Sequence, residues 1–447
     1  MSNKKPKKRN AGPPKPMIQL SQCMIVKNEE KNIERALRWA KGVAFEQIVV
    51  DTGSTDRTVE LAEKMGAKVY HFQWIGDFSA AKNYAIEQAT GNWIAFLDAD
   101  EYFSPEDART LMFELKRIHS EPLLREQYFF LMCPMVQIED GGGAGSVNEH
   151  IRVFRNLPIA RYEGKIHEKF MIENKNIIKS DRIRVIHTGY SESAYSETGK
   201  AGRNIEMLRA ELAERPDDLS VKANLAESLR AQARLDEADS GAASLAEAKA
   251  LYGAVAASDG AVEPWLRKRA HIFTIEQSME SGVSYLTCRA MCERALQFFP
   301  GDLDLEYFLA SVMNKTGDHR SAWEVLLRCE EKYVNLPSLE ESQYVVSNPG
   351  MFFREMLVAA AALKNTEGIV KYATMMLIGD KTLQDILGLY IATLLQNGAP
   401  EPDVVALLSK IYDMGDPKDL LFVARTAKEC GAIGLSRTII GMAEKLI

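Results

Sequence analysis

Residues 47–100 read QIVVDTGSTDRTVELAEKMGAKVYHFQWIGDFSAAKNYAIEQATGNWIAFLDAD. Short apolar runs (QIVV, KVYHF, WIAFL) alternate with amphipathic stretches (DRTVELAEKMG, DFSAAKNYAIEQATG), and that alternation predicts a parallel α/β sheet. Ser54 or Thr55 is placed to cap a helix begun by Asp56, and Gly66 and Gly91 fall where helices should stop. Upstream, QLSQCMIV (19–26) and KNIERALRWAKG (31–42) add another strand and helix of the same kind. Ligands of open α/β sheets collect at the carboxyl ends of the strands. That rule points to three acidic clusters that directly follow apolar runs: KNEE (27–30), DTGSTD (51–56) and DADE (98–101).

Downstream the grammar changes. From about residue 203 the β-branched runs vanish, and Ala, Leu, Glu and Arg dominate at helical spacing. PDDLSVKANLAESLRAQARLDEA, starting at Pro216, is echoed by PGDLDLEYFLASVMNKTGDHRSA, starting at Pro300. Displaced by 84 residues, Leu219 meets Leu303, Leu225 meets Leu309, Ala226 meets Ala310 and Ala238 meets Ala322. Repeated helical pairs with small residues at fixed places and a Gly317-Asp318 turn resemble degenerate tetratricopeptide repeats. The expected organisation is a basic, Pro-rich disordered tail (1–16), an α/β domain (17–200) and an all-α helical-repeat domain (201–447). The repeats offer a surface for an extended polypeptide or for a second copy of the chain.

The whole chain has 447 residues, a net charge of −7 and 46% hydrophobic residues, which fits a folded multidomain protein. Mild acidity argues against a dedicated nucleic-acid binder. The longest apolar stretch, near Ile386–Leu395, is about half of the roughly 20 residues that span a bilayer, so no transmembrane segment is expected. The six cysteines form no CxxC pair, which favours reduced thiols and a cytoplasmic location. Cys288 and Cys292 are one helical turn apart and read as core packing. GGGAGS (141–146) lacks the Lys-Ser/Thr of a P-loop and reads as a flexible loop.

Asp98 and Asp100 end WIAFL as Asp-Ala-Asp. In extended backbone, residues two apart point the same way about 6.5–7 Å apart, so both carboxylates can face one hard cation and its phosphate ligands. The ordered set SQCMIVKNEEKNIERAL, IVVDTGSTDRTVELAEKMGAKV, DFSAAKNYAIEQATGNWIAFLDADEYF, IRVFRN, YEGKIHEKF and IHTGY covers about residues 20–190. Here the sequence resembles the family-2 glycosyltransferases of GT-A fold, in the branch that carries tetratricopeptide-like repeats and includes sublancin-type S-glycosyltransferases.

That resemblance implies a UDP-sugar donor, UDP-glucose or UDP-N-acetylglucosamine, with Mn²⁺ or Mg²⁺. Val26, Asn28, Glu29 and Asp51 would line the nucleotide pocket, with Asp51 accepting from the uracil ring N–H. Asp77 would meet a sugar hydroxyl or fix its loop. Lys82 stands where relatives commonly have Arg, so it has a point charge for a diphosphate and no bidentate fork. Asp100 and His187, with Asp98, would hold the metal; Asp98, Ala99 and Asp100 would border the ribose and diphosphate. Tyr190 and Arg203 would approach the diphosphate from the segment joining the halves. Glu168, in GKIHEKF, would be the general base, the alternative being a surface salt bridge with Lys165 or Lys169. The implied reaction is inverting transfer to a Ser, Thr or Cys side chain of a peptide or protein. A saccharide acceptor and a non-catalytic scaffold that binds nucleotide sugar remain open alternatives.

Overall fold

The computed structural model describes residues 17–138, 144–170, 176–188, 200–234, 238–335 and 344–446; the basic tail lies outside them. Strands β1 (Leu20–Val26), β2 (Glu46–Asp51), β3 (Lys68–His71) and β4 (Trp93–Phe96) run parallel in the order β3-β2-β1-β4. Helices α1 (Ile33–Arg38), α2 (Thr58–Lys64) and α3 (Phe78–Glu87) connect them. Strand β1 is buried along nearly its whole length because both its faces are covered, and its two polar residues are satisfied internally, Ser21 Oγ donating to Glu46 at 2.8 Å and Gln22 Nε2 to the Ala36 carbonyl at 2.7 Å. Cys23 packs with Ala85 and Ile86 of α3, while Met24 and Val26 pack with Ile33, Ala36 and Leu37 of α1.

The sheet then becomes mixed. β5 (Glu101–Phe103), β6 (Phe130–Ile138) and β7 (Ala144–Arg155) follow, with β7 antiparallel to both β4 and β6. A two-stranded ladder of β8 (Tyr162–Glu163) and β9 (Lys169–Phe170) precedes β10 (Ile177–Lys179) and β11 (Val185–His187). β11 lies between β6 and β5, which puts the strand after Asp100 beside the strand ending in His187. A parallel half continued by antiparallel strands makes the N-terminal part GT-A-like.

Local details differ from expectation in two places. Ser54 and Thr55 do not cap α2, which begins after Arg57 without a side-chain cap; their side chains bond across to the β1–α1 loop. Ala144–Ser146 open β7 instead of continuing a loop, because Ala144 pairs with Ile138; Gly141–Gly143 lie outside the described residues. The two expected stops behave differently. Gly66 has φ 91°, the left-handed geometry that ends α2. Gly91 is needed for close approach, since a Cβ there would lie 2.5 Å from the Gln19 carbonyl oxygen.

From Lys200 onward the described residues form helices joined by short turns. The sequence echo corresponds to matching helix starts. Asp218 accepts from the Ser220 and Val221 N–H groups at the head of Leu219–Ala233, and Asp302 accepts from Leu305 N–H at the head of Leu303–Lys315. Ala226, Ala310 and Ala322 have no exposed surface, so their small size is used in packing. Packing divides the chain at Leu245/Ala246, within helix Ala238–Ala257, whereas the composition changes near residue 200. The reason is that helix Lys200–Glu214 is tied to the α/β part. Glu214 pairs with Lys165 at 2.6 Å, and the Arg203 guanidinium lies 5.5 Å from the Phe78 ring centre. The second unit has its own apolar core, running from Ile272 to Ala443 and including the fully buried Cys288 and Cys292. No helix of the described residues is long and apolar enough to cross a membrane.

Candidate active site

The ends of β1 and β2 interlock. Asn28 adopts φ 57°, a left-handed conformation that Asn tolerates, and this turns its side chain onto the neighbouring loop. Its N–H donates to Ser54 Oγ at 2.9 Å, and its Oδ1 accepts from Thr55 N–H at 2.7 Å. Glu29 N–H donates to Thr58 Oγ1 at 2.7 Å, and the Val26 carbonyl accepts from Thr52 N–H at 2.9 Å. Asp51 is buried and accepts from Ser54 N–H at 3.0 Å and Gly53 N–H at 3.2 Å, with His71 Nδ1 3.4 Å away. Val26, Asn28, Glu29 and Asp51 thus sit at adjoining strand ends. Asp77 caps α3 by accepting from Ala80 N–H at 2.9 Å, which gives it the loop-fixing role.

A second cluster lies at the end of β4. Lys82, on α3, has a side chain 4% exposed. Its Nζ is 2.6 Å from Glu168 Oε1 and 3.4 Å from Asp98 Oδ1, and it lies 5.4 and 5.2 Å from the Phe96 and Tyr162 ring centres. Glu168 therefore pairs with Lys82, and Lys165, one of the partners expected for it, pairs with Glu214. Arg152, on β7, extends the chain of charges, with Nη2 at 3.4 Å from Asp98 Oδ2 and 2.5 Å from Glu101 Oε1.

Burial alone would raise the pKa of Asp98, but Lys82 and Arg152 outweigh it and hold the carboxyl well below the usual range. Glu101 is shifted upward because its burial outweighs the pull of Arg152. His150 is pushed down to about 4 by burial and then by the nearby Arg152 charge.

Asp100 and His187 meet across β5 and β11, with Asp100 Oδ2 3.3 Å from His187 Nε2. The other imidazole nitrogen, Nδ1, is 2.6 Å from Gln137 Oε1, so the ring is oriented as a metal-binding histidine usually is. The strand end is anchored as well. Thr188 N–H donates to the Asp100 carbonyl at 3.1 Å, and Arg35 donates to Thr188 Oγ1 at 2.6 Å.

As donors, a carboxylate and an oriented imidazole suit Mn²⁺ or Mg²⁺. Asp98 fits that role poorly, being held between two cations. Among the described residues, no group of three or more His, Cys, Asp or Glu side chains is arranged to hold a metal, so the remaining ligands would have to come from the substrate. Ala99 is buried in the cluster of Met24 and Val26. Arg203 is on helix Lys200–Glu214, where partial burial lowers its pKa and the Glu29 carboxylate opposes that shift. Tyr190 lies outside the described residues.

Residues 21–120 match the family model described as glycosyl transferase family 2. That stretch is similar to family 2 glycosyl transferase domains. A TPR repeat-containing protein of Synechococcus elongatus is 35% identical to the chain over 211 residues, which are 45% of this chain and 50% of that protein. The SPbeta prophage-derived glycosyltransferase SunS of Bacillus subtilis is 31% identical over 196 residues, 42% of this chain and 44% of SunS. The chain spans about half the length of these curated relatives. Among solved structures, S. aureus TarS 1-349 in complex with UDP is 18% identical with a TM-score of 0.34, covering 59% of this chain and 92% of that one.

Sequence reasoning on the glycosyl transferase domain missed Glu101, Arg152, Tyr162 and Gln137. Glu101 was visible as the last acid of DADE. Arg152 had a signal too, as a lone cation inside the apolar strand IRVF, since a charge there needs a buried partner. Tyr162 and Gln137 carry no sequence signal of their own.

Proposed function

We propose that the chain is a metal-dependent glycosyltransferase. It moves a sugar from a UDP-sugar to a nucleophile, by our reading a Ser, Thr or Cys side chain of a polypeptide, in the cytoplasm. One observation carries the proposal: Glu168 and Asp98, 70 positions apart in the sequence, converge on the same buried ammonium. The family of residues 21–120 and the kinship to a glycosyltransferase of B. subtilis add support.

The interlocked loops holding Asn28, Glu29 and Asp51 receive the nucleoside, and Asp51 retains lone pairs for a ring N–H beyond its two loop bonds. Asp100 and His187 would hold the divalent cation, which when bound supplies positive charge to the leaving diphosphate. Asp98, fixed from two sides, offers its exposed edge to the ribose. Glu168 takes the acceptor proton as the acceptor attacks the anomeric carbon from the face opposite UDP. The acceptor–carbon bond forms while the bond from that carbon to the UDP oxygen breaks, which inverts the centre.

The test is incubation of the purified protein with UDP-glucose or UDP-N-acetylglucosamine, Mn²⁺ and peptides containing Ser, Thr or Cys, with and without chelator. UDP release and a peptide mass gain of one hexose or N-acetylhexosamine, both lost with chelator, are expected. Silence toward both donors, with or without metal, overturns the proposal. UDP release with no peptide product but with transfer to a saccharide overturns the acceptor assignment alone.

A further inference from the structure

We infer that Lys82 is a positioning residue that aims the Glu168 carboxylate and ties it to Asp98, and that it does not contact the donor diphosphate. The inference rests on the reading of Glu168 as the acceptor base. Five charged groups from four separate stretches of chain alternate in sign: Glu168 before β9, Lys82 on α3, Asp98 after β4, Arg152 on β7 and Glu101 on β5, three residues after Asp98. Successive separations are 2.6, 3.4, 3.4 and 2.5 Å. An ammonium has three N–H donors. Two of them face carboxylates here, and the rings of Phe96 and Tyr162 flank the charge at 5.4 and 5.2 Å.

Turning Lys82 toward a diphosphate would strip Glu168 and Asp98 of their shared cation and leave two carboxylates facing an incoming anion. Removing one partner from a buried ion pair leaves an uncompensated buried charge, so the geometry opposes that movement. The position differs in kind from an arginine, whose planar fork can hold a carboxylate and still present further donors. Burial alone would lower the Lys82 pKa, but Asp98 and then Glu168 outweigh it and keep the ammonium charged.

The pairing also suits the chemistry. A base needs a fixed direction and a counter-charge while it waits for the acceptor. Once Glu168 takes the proton, Asp98 still anchors the ammonium. The groups facing Glu168 are Lys82 itself, Asp98 beyond it and the Tyr162 phenol.

The test compares the wild-type protein with Lys82→Met, Lys82→Arg, Glu168→Gln and the Lys82→Met/Glu168→Gln double variant. UDP affinity in Mn²⁺, measured by calorimetry, should change less than about twofold in Lys82→Met; a tenfold loss (1.4 kcal/mol) identifies a diphosphate ligand and overturns the inference. UDP release from UDP-glucose or UDP-N-acetylglucosamine should fall about 100-fold in kcat with KM unchanged. Lys82→Arg should recover part of kcat. A wild-type kcat in Lys82→Met overturns the inference.

Unfolding midpoints of the same four proteins form a double-mutant cycle that is read whether or not any donor turns over. Non-additive losses are expected, and strictly additive ones exclude the pairing. A wild-type protein silent toward both donors, with coupling intact, defeats the proposed function and leaves the Lys82–Glu168 contact standing.

Discussion

Acidic side chains at the ends of β2 and at the start of α3 are used differently from those at the end of β4. Asp51 and Asp77 accept backbone N–H groups from residues two or three positions further along, so each folds its own turn. Asp98, Glu101 and Glu168 instead face cations delivered by α3 and β7. In the first region a carboxylate is satisfied locally and shapes a loop. In the second the counter-charge arrives only when distant strands meet, although Glu101 also accepts the Asp98 N–H locally at 3.1 Å, so the charge is available to an electrostatic site. The same residue type thus builds the scaffold in one place and the chemistry in the other.

That contrast can be broken by substitution. The largest effects should fall on catalysis at the remote-partner region. Glu168→Gln should retain UDP affinity while transfer drops about 10²–10⁴-fold, and Asp100→Ala should lose metal-dependent UDP binding along with UDP release. A Glu168→Gln protein that turns over normally removes the base assignment.

Next comes stability. Arg152→Met leaves Glu101, 1% exposed, without its 2.5 Å partner, and should cost about 3–5 kcal/mol in urea unfolding. A loss below about 1 kcal/mol would show that the ladder contributes little.

Glu46 sharpens the comparison, because a backbone N–H, a hydroxyl and a cation all reach it from distant stretches of chain. Its carboxylate accepts from Thr90 N–H at 2.7 Å and Ser21 Oγ at 2.8 Å, and pairs with Lys68 at 2.7 Å. Burial would raise its pKa, but these partners together bring it down to about 2 from 4.5. The sign follows directly. The folded state binds this proton less readily than the unfolded chain, so the stabilisation is complete above about pH 4.5 and is lost as pH falls toward 2. Glu46→Gln should therefore flatten the stability curve across that window, read as unfolding midpoint against pH.

The smallest effect is expected at the locally satisfied end. Asp77→Ala loses the α3 cap and should cost about 1 kcal/mol, with Asp77→Asn or Asp77→Ser recovering most of it. A collapse of donor binding in Asp77→Asn with stability intact would move Asp77 from scaffold to site.

Much of this was legible in the one-dimensional pattern. Residues 19–100 announced three strand ends with acids after them, because strand and helix periodicities are properties of neighbours. The helical half was equally readable as an echo displaced by 84 residues, while the caps Asp218 and Asp302 that head the two matching helices came from the structure. The α2 start was misjudged because Ser54 and Thr55 bond across to Asn28, a competitor that spacing along one loop does not reveal. Family resemblance brought Glu168 and Lys82 forward, yet neither motif said that they bind each other.

By itself, then, the order of residues determined which segments become strands and helices and where polar groups cluster, since those outcomes depend on contacts a few positions away. Only the folded sheet decided which acid meets which base. It set β7 against β4 and β11 against β5, and so brought Arg152 to Asp98 and His187 to Asp100 across gaps that no local periodicity encodes.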